Sequence, residues 1–202
     1  MARGKIGYLP SGYLNSAASA TPGGSTDAES GLPIATGLTV GLLQEFTDAE
    51  ALRYSAPTGR TLYSGTYQWV QLDPTVVGTV ALGAALYWLQ TATGYVVTNV
   101  ATANVNAPDF AGVSIDPNFG ASLPYAFIQV NGKASCLFDS SAAVVYGDLV
   151  LLTAGADTFA AAVSTTAITT AADIQAYVGN ALSAGAASTV QLARIVRSVA
   201  RF

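Results

Sequence analysis

Apolar and polar positions alternate along most of the chain after Arg60, a pattern typical of β-strands with one buried face. The clearest run is Thr66–Asp73, where Tyr67 and Trp69 fall on the same face. Further strand-length segments follow at short spacing: Val76–Leu82, Ala84–Leu89, Gly94–Val100, Phe110–Ile115, Tyr125–Asn131, Ala134–Phe138, Val144–Leu152 and Thr158–Val163. Segments of this length and spacing predict an all-β barrel or sandwich.

Local signals predict how these segments are connected. Asn131-Gly132 lies between two alternating runs, which is the pattern of a two-residue β-hairpin. The Thr47-Asp48-Ala49-Glu50 spacing is that of a capping box and predicts a short helix over residues 47–53, after a strand within 37–46. Residues 171–178 are compatible with a second short helix.

The C-terminal run Val190–Phe202 fits two interpretations. An apolar helical stripe is formed by Leu192, Ile195, Val196 and Val199, with Arg194, Arg197 and Arg201 opposite. A strand fits the alternation of the same residues. Because β-branched residues dominate and no helix cap precedes the run, we favour the strand.

The chain contains a weak internal repeat. At an offset of 64 residues, Val80–Val97 aligns with Val144–Ala161, which places Gly83 on Gly147 and Tyr95 on Phe159. Phe110-Ala-Gly-Val113 and Tyr177-Val-Gly-Asn180 are alike at an offset of 67 residues. Chance similarity between apolar segments is the alternative to a pseudo-symmetric barrel built from two copies of one β-motif.

Residues 1–36 are rich in Gly, Pro, Ser and Ala and sustain no period of 2 or 3.6. We therefore predict an extended N-terminal arm over 1–59, with the short strand and helix near its end, and a β-barrel domain over 60–202. A segment of this kind cannot offset its own ordering entropy. Its apolar residues favour an arm that orders on a partner over a solvated tail: Ile6, Tyr8, Leu9, Tyr13 and Leu14.

The amino-acid composition excludes several classes of catalytic and binding site. Hydrophobic residues make up 51% of the chain and charged residues only 10%, with a net charge of −4. The absence of histidine excludes Ser-His-Asp and Cys-His nucleophiles, and the single cysteine, Cys136, excludes an intrachain disulfide. No basic patch on a high-pI domain indicates nucleic-acid binding.

Few residues could do acid–base work. Asp109 and Asp116 flank one strand, each beside a proline, and could form a glycosidase-like carboxylate pair. We interpret them instead as turn residues, like Asp148 and Asp157, and Cys136 as a buried small hydrophobe. No phosphate loop, dinucleotide fingerprint or metal spacing is present, so we predict no catalytic residue, no metal and no cofactor, and do not expect an enzyme.

The mean hydropathy of +0.42 raises the question of a membrane. The most apolar segment of the chain, Val76–Leu89, is shorter than the roughly 20 residues that span a bilayer and is interrupted by Gly78 and Gly83. The basic start of the chain has no long apolar run behind it. We therefore expect strands without a membrane span, and synthesis in the cytoplasm without a standard export signal.

Five glycine-containing motifs resemble the small β-barrel head decoration, or cement, proteins of tailed bacteriophages. They are Gly83-Ala-Ala-Leu-Tyr-Trp88, Thr93-Gly-Tyr-Val-Val-Thr98, Asp109-Phe-Ala-Gly-Val113, Phe127-Ile-Gln-Val-Asn-Gly-Lys-Ala134 and Tyr146-Gly-Asp-Leu-Val150. The resemblance covers residues from about 67 to 202. It implies copies clamped on the outer surface of an icosahedral capsid, with arms that reach over neighbouring shell subunits.

The expected partners follow from this resemblance and from the low charge. They are the major capsid protein and other copies of the chain, as a homotrimer by resemblance or a dimer. The candidate capsid contacts are Ile6, Tyr8, Leu9, Tyr13, Leu14, Arg194, Arg197 and Arg201. The alternative function is a carbohydrate-binding or host-attachment β module of a virion spike, which would need an aromatic-lined groove. We expect Trp69 and Trp88 instead to be largely buried in one barrel.

Overall fold

The architecture is that of a computed structural model. It describes residues 40–52, 61–89, 95–100, 109–116, 119–121, 124–140, 143–153, 155–162 and 176–196. The strands are β1 (Leu43–Phe46), β2 (Gly65–Leu72), β3 (Ala85–Trp88), β4 (Val96–Thr98), β5 (Phe110–Ser114), β6 (Tyr125–Leu137), β7 (Leu149–Leu152), β8 (Phe159–Ala162), β9 (Tyr177–Ala181) and β10 (Val190–Val196). The predicted all-β class is confirmed.

Five strands close into a barrel, which we call the first barrel. Their order is β2-β4-β3-β5-β6, and β6 pairs back onto β2 to complete the circle. Only the β2–β4 pair is parallel; the other four pairs are antiparallel. The predicted barrel is therefore present in the part of the chain that the structure describes.

Strands β7 to β10 repeat the same arrangement together with the second half of β6, and we call this set the second barrel. Its order is β6-β10-β9-β7-β8. A single parallel bridge between Phe138 and Phe159 joins the end of β6 to β8, as the parallel β2–β4 pair does in the first barrel. The long strand β6 thus belongs to both barrels: residues 125–132 pair with β2, and residues 131–137 pair with β10.

The predicted internal repeat is confirmed by strand pairing. In the first barrel, the β3–β5 register shifts between Leu86 and Tyr87; in the second, the β7–β9 register shifts between Val150 and Leu151. Gly83 and Gly147, which the sequence repeat aligns, both have positive φ values, of 80° and 89°. One alignment was wrong: the residue that corresponds to Phe159 is Val97, because Val97 pairs with Trp88 as Phe159 pairs with Leu152.

The predicted hairpin at Asn131-Gly132 was wrong. Both residues lie inside the continuous strand β6, where the chain passes from one barrel to the other. Gly132 has a φ of 104°, and a Cβ there would lie 2.5 Å from the carbonyl oxygen of Ser64. Because Gly132 has no side chain, β2 and β6 can approach closely where they pair, and the chain does not reverse its direction there.

Other predicted elements need correction at their edges. Residues 76–82 form no strand but a loop with one bridge, between Thr79 and Gly120. Tyr177 and Val178, at the end of the possible helix over 171–178, begin strand β9. The C-terminal run is a strand over Val190–Val196, as favoured, and residues 197–202 lie outside the described residues.

The buried hydrophobic residues form three clusters, and one of them joins the two barrels. The interior of the first barrel is filled by residues such as Leu86, Val97 and Ile128. The interior of the second barrel continues into the outward-facing side chains of β3 and β5, including Tyr87 and Phe110. The outward face of β2 and the first half of β6 forms the third cluster, beneath the residues before Gly65.

Residues 40–52 lie over this third cluster, and we call them the covering segment. β1 pairs antiparallel with the first half of β2, and residues 48–52 are helical. The predicted capping box is present: the backbone N–H of Thr47 donates to Glu50 Oε2 at 2.8 Å, and that of Glu50 donates to Thr47 Oγ1 at 3.3 Å. The strand and helix near the end of the predicted arm therefore pack directly on the first barrel.

Candidate interaction surface

The candidate carboxylate pair is held apart by a strand. Asp109 precedes β5 and Asp116 follows it. Seven residues of extended chain separate them by roughly 20 Å at about 3.3 Å per residue. Glycosidase carboxylates lie within about 10 Å of each other, so these two cannot share a glycosidic bond.

Other described carboxylates stabilise turns, as predicted for Asp148 and Asp157. Asp148 Oδ2 accepts from the backbone N–H of Val145 at 2.7 Å and closes the turn before β7. Asp157 Oδ2 accepts from Asn99 Nδ2 at 3.1 Å, and its backbone oxygen accepts from the N–H of Ala85 at 2.7 Å. The β7–β8 turn is thereby joined to the first barrel.

Burial raises the pKa values of one thiol and two tyrosine hydroxyls. Cys136 is fully buried, and desolvation raises the pKa of its thiol. Burial likewise raises the pKa values of Tyr67 and Tyr87, whose hydroxyls donate to the backbone oxygens of Tyr63 and Ala156. A thiol with a raised pKa is a poor nucleophile, which agrees with the interpretation of Cys136 as a core residue.

Two further searches were restricted to the described ranges. Among these residues, no group of three or more His, Cys, Asp or Glu side chains could hold a metal ion. No helix within the same residues is both long and apolar enough to cross a bilayer.

The outward faces of the two barrels are therefore the remaining candidates for a site, and those of the first barrel are covered. On β2 and β6, Tyr67, Trp69 and Phe127 are fully buried beneath the covering segment, which contributes Phe46 and Ala51. The rings of Trp69 and Phe127 meet edge to face, with centroids 5.0 Å apart. This aromatic face is closed to any partner.

The second barrel covers the outward face of β3 and β5. Phe110 meets Phe159 edge to face, with ring centroids 5.9 Å apart. The hydroxyl of Tyr87 donates to the backbone oxygen of Ala156 at 3.0 Å. Both outward faces of the first barrel thus lie inside the protein.

The corresponding faces of the second barrel have no such cover among the described residues. Phe110 corresponds to Tyr177, which is 37% exposed, and Tyr87 corresponds to Leu151, which is half-buried. Trp69 and Phe127 correspond to Ser135 and Leu192, both half-buried. The second barrel therefore presents an outer surface that the first barrel uses for internal packing.

This surface is bordered by exposed apolar side chains. The turn before β7 carries Tyr146, which is 71% exposed, at the place of Leu82 in the first barrel. Val190 and Val196 on β10 are also exposed. Because contiguous exposed apolar patches mark interaction sites, we take the outside of the second barrel as the candidate interaction surface.

Only one of the predicted contact residues lies in the described part of the chain. Arg194 is exposed on β10, directly opposite Lys133 of β6 and beside Asn180 of β9. The others lie outside the described residues: Ile6, Tyr8, Leu9, Tyr13, Leu14, Arg197 and Arg201. Lys133 was not among the predicted contact residues, since only the pairing of β6 with β10 brings it to Arg194.

The comparisons with known proteins add no relative. A scan against family models finds no match, and neither does a search of curated proteins.

Proposed function

We propose that this protein is a structural, non-enzymatic virion protein that binds the outer surface of an icosahedral phage capsid and cements neighbouring capsid subunits. The motifs that resemble phage head decoration proteins support this function. The described residues of these motifs lie on barrel strands and turns; Gly83-Ala-Ala-Leu-Tyr-Trp88, for example, forms the turn before β3 and the strand itself.

The observation that carries the proposal is the difference between the two barrels. The outer faces of β2–β6 and β3–β5 in the first barrel are buried, whereas the corresponding faces of the second barrel carry the half-buried Leu151 and the exposed Tyr177 and Val190. A rigid barrel with such a surface suits repeated docking on a shell. An interface of about 1,600 Å² is sufficient for specific binding, and an arm that contacts a second subunit adds avidity.

The major capsid protein is the proposed principal partner, and copies of the chain are the second, as a homotrimer by resemblance. A protein with only 10% charged residues has little charge with which to keep such a surface solvated. Closed symmetry hides apolar patches without forming fibres. The protein would then be located on the outside of the virion.

The spike-type sugar-binding alternative has less support. Trp69 is fully buried, as predicted; Trp88 is only half-buried, with its ring against the first-barrel core and 5.8 Å from the ring of Tyr95, centroid to centroid. The exposed tyrosines Tyr95, Tyr146 and Tyr177 lie on different elements.

Co-sedimentation with shells tests the proposed function. The purified full-length chain is mixed with undecorated shells of the virus that encodes it, and the shells are pelleted. We expect saturation at a copy number that is a simple ratio to the shell protein, together with a higher disruption temperature of the shells. A chain that stays in the supernatant at micromolar concentration would refute the proposal.

A further inference from the structure

Two basic side chains oppose each other on the outside of the second barrel. Lys133 and Arg194 are direct partners in the antiparallel β6–β10 pair. Their Cβ atoms are therefore about 5 Å apart, a spacing at which like charges destabilise a sheet. The pair forms the centre of the outward side of these two strands, which we call the β6–β10 face: Lys133, Ser135, Leu137, Val190, Leu192, Arg194 and Val196.

Among the described residues of the β6–β10 face and of the neighbouring strand β9, no acidic side chain offsets this pair. The rows on either side of it are Ser135 with Leu192 and Asn131 with Val196, and the next strand adds Asn180 beside Arg194. The Asn180 side chain already accepts from the hydroxyl of Tyr177 at 2.8 Å. Two positive charges thus lie within an otherwise neutral and partly apolar surface.

The first barrel indicates what kind of element fits there. Its corresponding pair is Tyr67 with Gln129, and the aromatic row next to it is buried beneath the covering segment. That segment combines the apolar Phe46 and Ala51 with the acidic Glu45 and Glu50. In this fold, therefore, an apolar segment that also bears carboxylates is able to cover this side of a barrel.

From the charge of this face, and because no described residue covers it, we propose that the β6–β10 face binds a carboxylate-bearing segment of the shell protein. The carboxylates meet Lys133 and Arg194, and apolar side chains of the same segment pack on Leu192, Val190 and Val196. This inference rests on the proposed function and identifies the contact face and the chemistry of the partner. Arg194 was a predicted capsid contact; Lys133 and the apolar row are additions.

The cationic pair explains why the partner must be acidic. The two like charges cost stability in the free protein, and a partner carboxylate would convert that repulsion into two charge-assisted contacts. A neutral apolar partner would bury both charges without compensation, which is costly. The face therefore discriminates by charge as well as by shape.

The test is a titration of undecorated shells with the wild-type chain and the variant K133Q/R194Q. We expect the variant to bind the shells at least about tenfold more weakly than the wild-type chain, because it loses two contacts between charged groups and each contributes substantially to the binding free energy. The melting temperature should stay unchanged or rise, because a repulsive pair is removed. Poly-L-glutamate should compete with shells for the wild-type chain and not for the variant.

The matched control is T75E/V77E, which changes the net charge by the same amount on the exposed β2–β3 loop. Equal binding by K133Q/R194Q and this control, with tight binding by the wild-type chain, would overturn the inference and leave the proposed function intact. Wild-type chain that does not bind shells would refute both. Competition by double-stranded DNA as strong as that by poly-L-glutamate would overturn the assignment to a protein segment.

Discussion

The two barrels share one pairing scheme and differ in what happens outside it. Each has a glycine turn before its second strand, a register shift at the corresponding place and a parallel contact that closes it. The first barrel buries aromatic residues on its outer faces, whereas the second has Ser135, Leu192 and Tyr177 at the same positions. The inward residues and the glycines therefore specify the barrel, and the outward residues decide how much of its outer surface packs against other described parts of the chain.

The difference is chemical as well as steric. Tyr67 and Gln129 are buried at the place where the second barrel has Lys133 and Arg194. A charged pair is incompatible with the fully desolvated environment of Tyr67. An element that covers this face of the second barrel would therefore have to bring opposite charges to Lys133 and Arg194.

The largest expected effect comes from removing the aromatic anchor of the covered face. Trp69→Ala should lower the free energy of unfolding by about 3–5 kcal/mol, since Trp69 is fully buried beneath the covering segment. Ser135→Ala, at the corresponding position of the second barrel, should stay within about 0.5 kcal/mol of wild type. Chemical denaturation followed by circular dichroism measures both, and equal losses would contradict the distinction between covered and open faces.

Paired glycine substitutions give the next largest difference. Gly147→Ala should cost about 1–2 kcal/mol, because its φ of 89° is unfavourable for a residue with a Cβ but the surrounding space is open. Gly83→Ala carries the same backbone cost. Its Cβ would also lie 2.9 Å from the backbone nitrogen of Leu137 and from the oxygen of Ser135.

We therefore expect Gly83→Ala to cost at least about 1 kcal/mol more than Gly147→Ala, as overpacking usually does. Thermal melting of the two single variants provides the comparison. An equal loss in both would mean that the contact between the first turn and β6 contributes nothing to stability, and would weaken the account of how the barrels are joined.

These glycines also show how far the sequence could predict the fold. Gly83 and Gly147 revealed the repeat because a turn with positive φ needs the same residue in both copies. Asn131-Gly132 carried the same local signal, but the predicted hairpin was wrong. Gly132 allows two strands that are distant in the chain to pair closely. Local turn chemistry alone does not distinguish a reversal of the chain from a close approach.

The candidate surface could be predicted only in part for a similar reason. Arg194 was identified from its place in the C-terminal run, but its opposition to Lys133 depends on the register between β6 and β10. The burial of Trp69 followed from the alternation in β2, whereas its cover by Phe46 and Ala51 required the tertiary structure. Pattern along a strand predicts which residues share a face, and pairing between strands determines what that face meets.

The third prediction concerns alkaline stability and the core of the second barrel. Burial raises the pKa of the Cys136 thiol, so above the ordinary thiol value the unfolded chain loses this proton while the folded chain keeps it. Stability should therefore fall as the pH rises past about 8.5, with a slope of up to about 1.4 kcal/mol per pH unit from this group.

Cys136→Ala should remove that part of the slope, and the slope that remains should reflect the buried tyrosines Tyr67 and Tyr87, whose pKa values are also raised. Urea unfolding between neutral and alkaline pH gives both slopes. Identical curves for the variant and wild type would show that the thiol is not desolvated as described, and the second core would then be more open than the first.

The smallest expected effect tests whether the cover of the first barrel is a fixed element. Thr47→Ala removes the side-chain acceptor for the N–H of Glu50 at the start of helix 48–52. The loss should be about 1 kcal/mol, as for other N-cap residues. Thr75→Ala on an exposed loop is the matched control and should change stability by less than about 0.5 kcal/mol. If the loss of stability in Thr47→Ala equals that of this control, the helix contributes no stability, and the cover must depend on β1 and Phe46. If the loss reaches that of Trp69→Ala, the covering segment has detached as a unit. The closed face of the first barrel has then become a second open face.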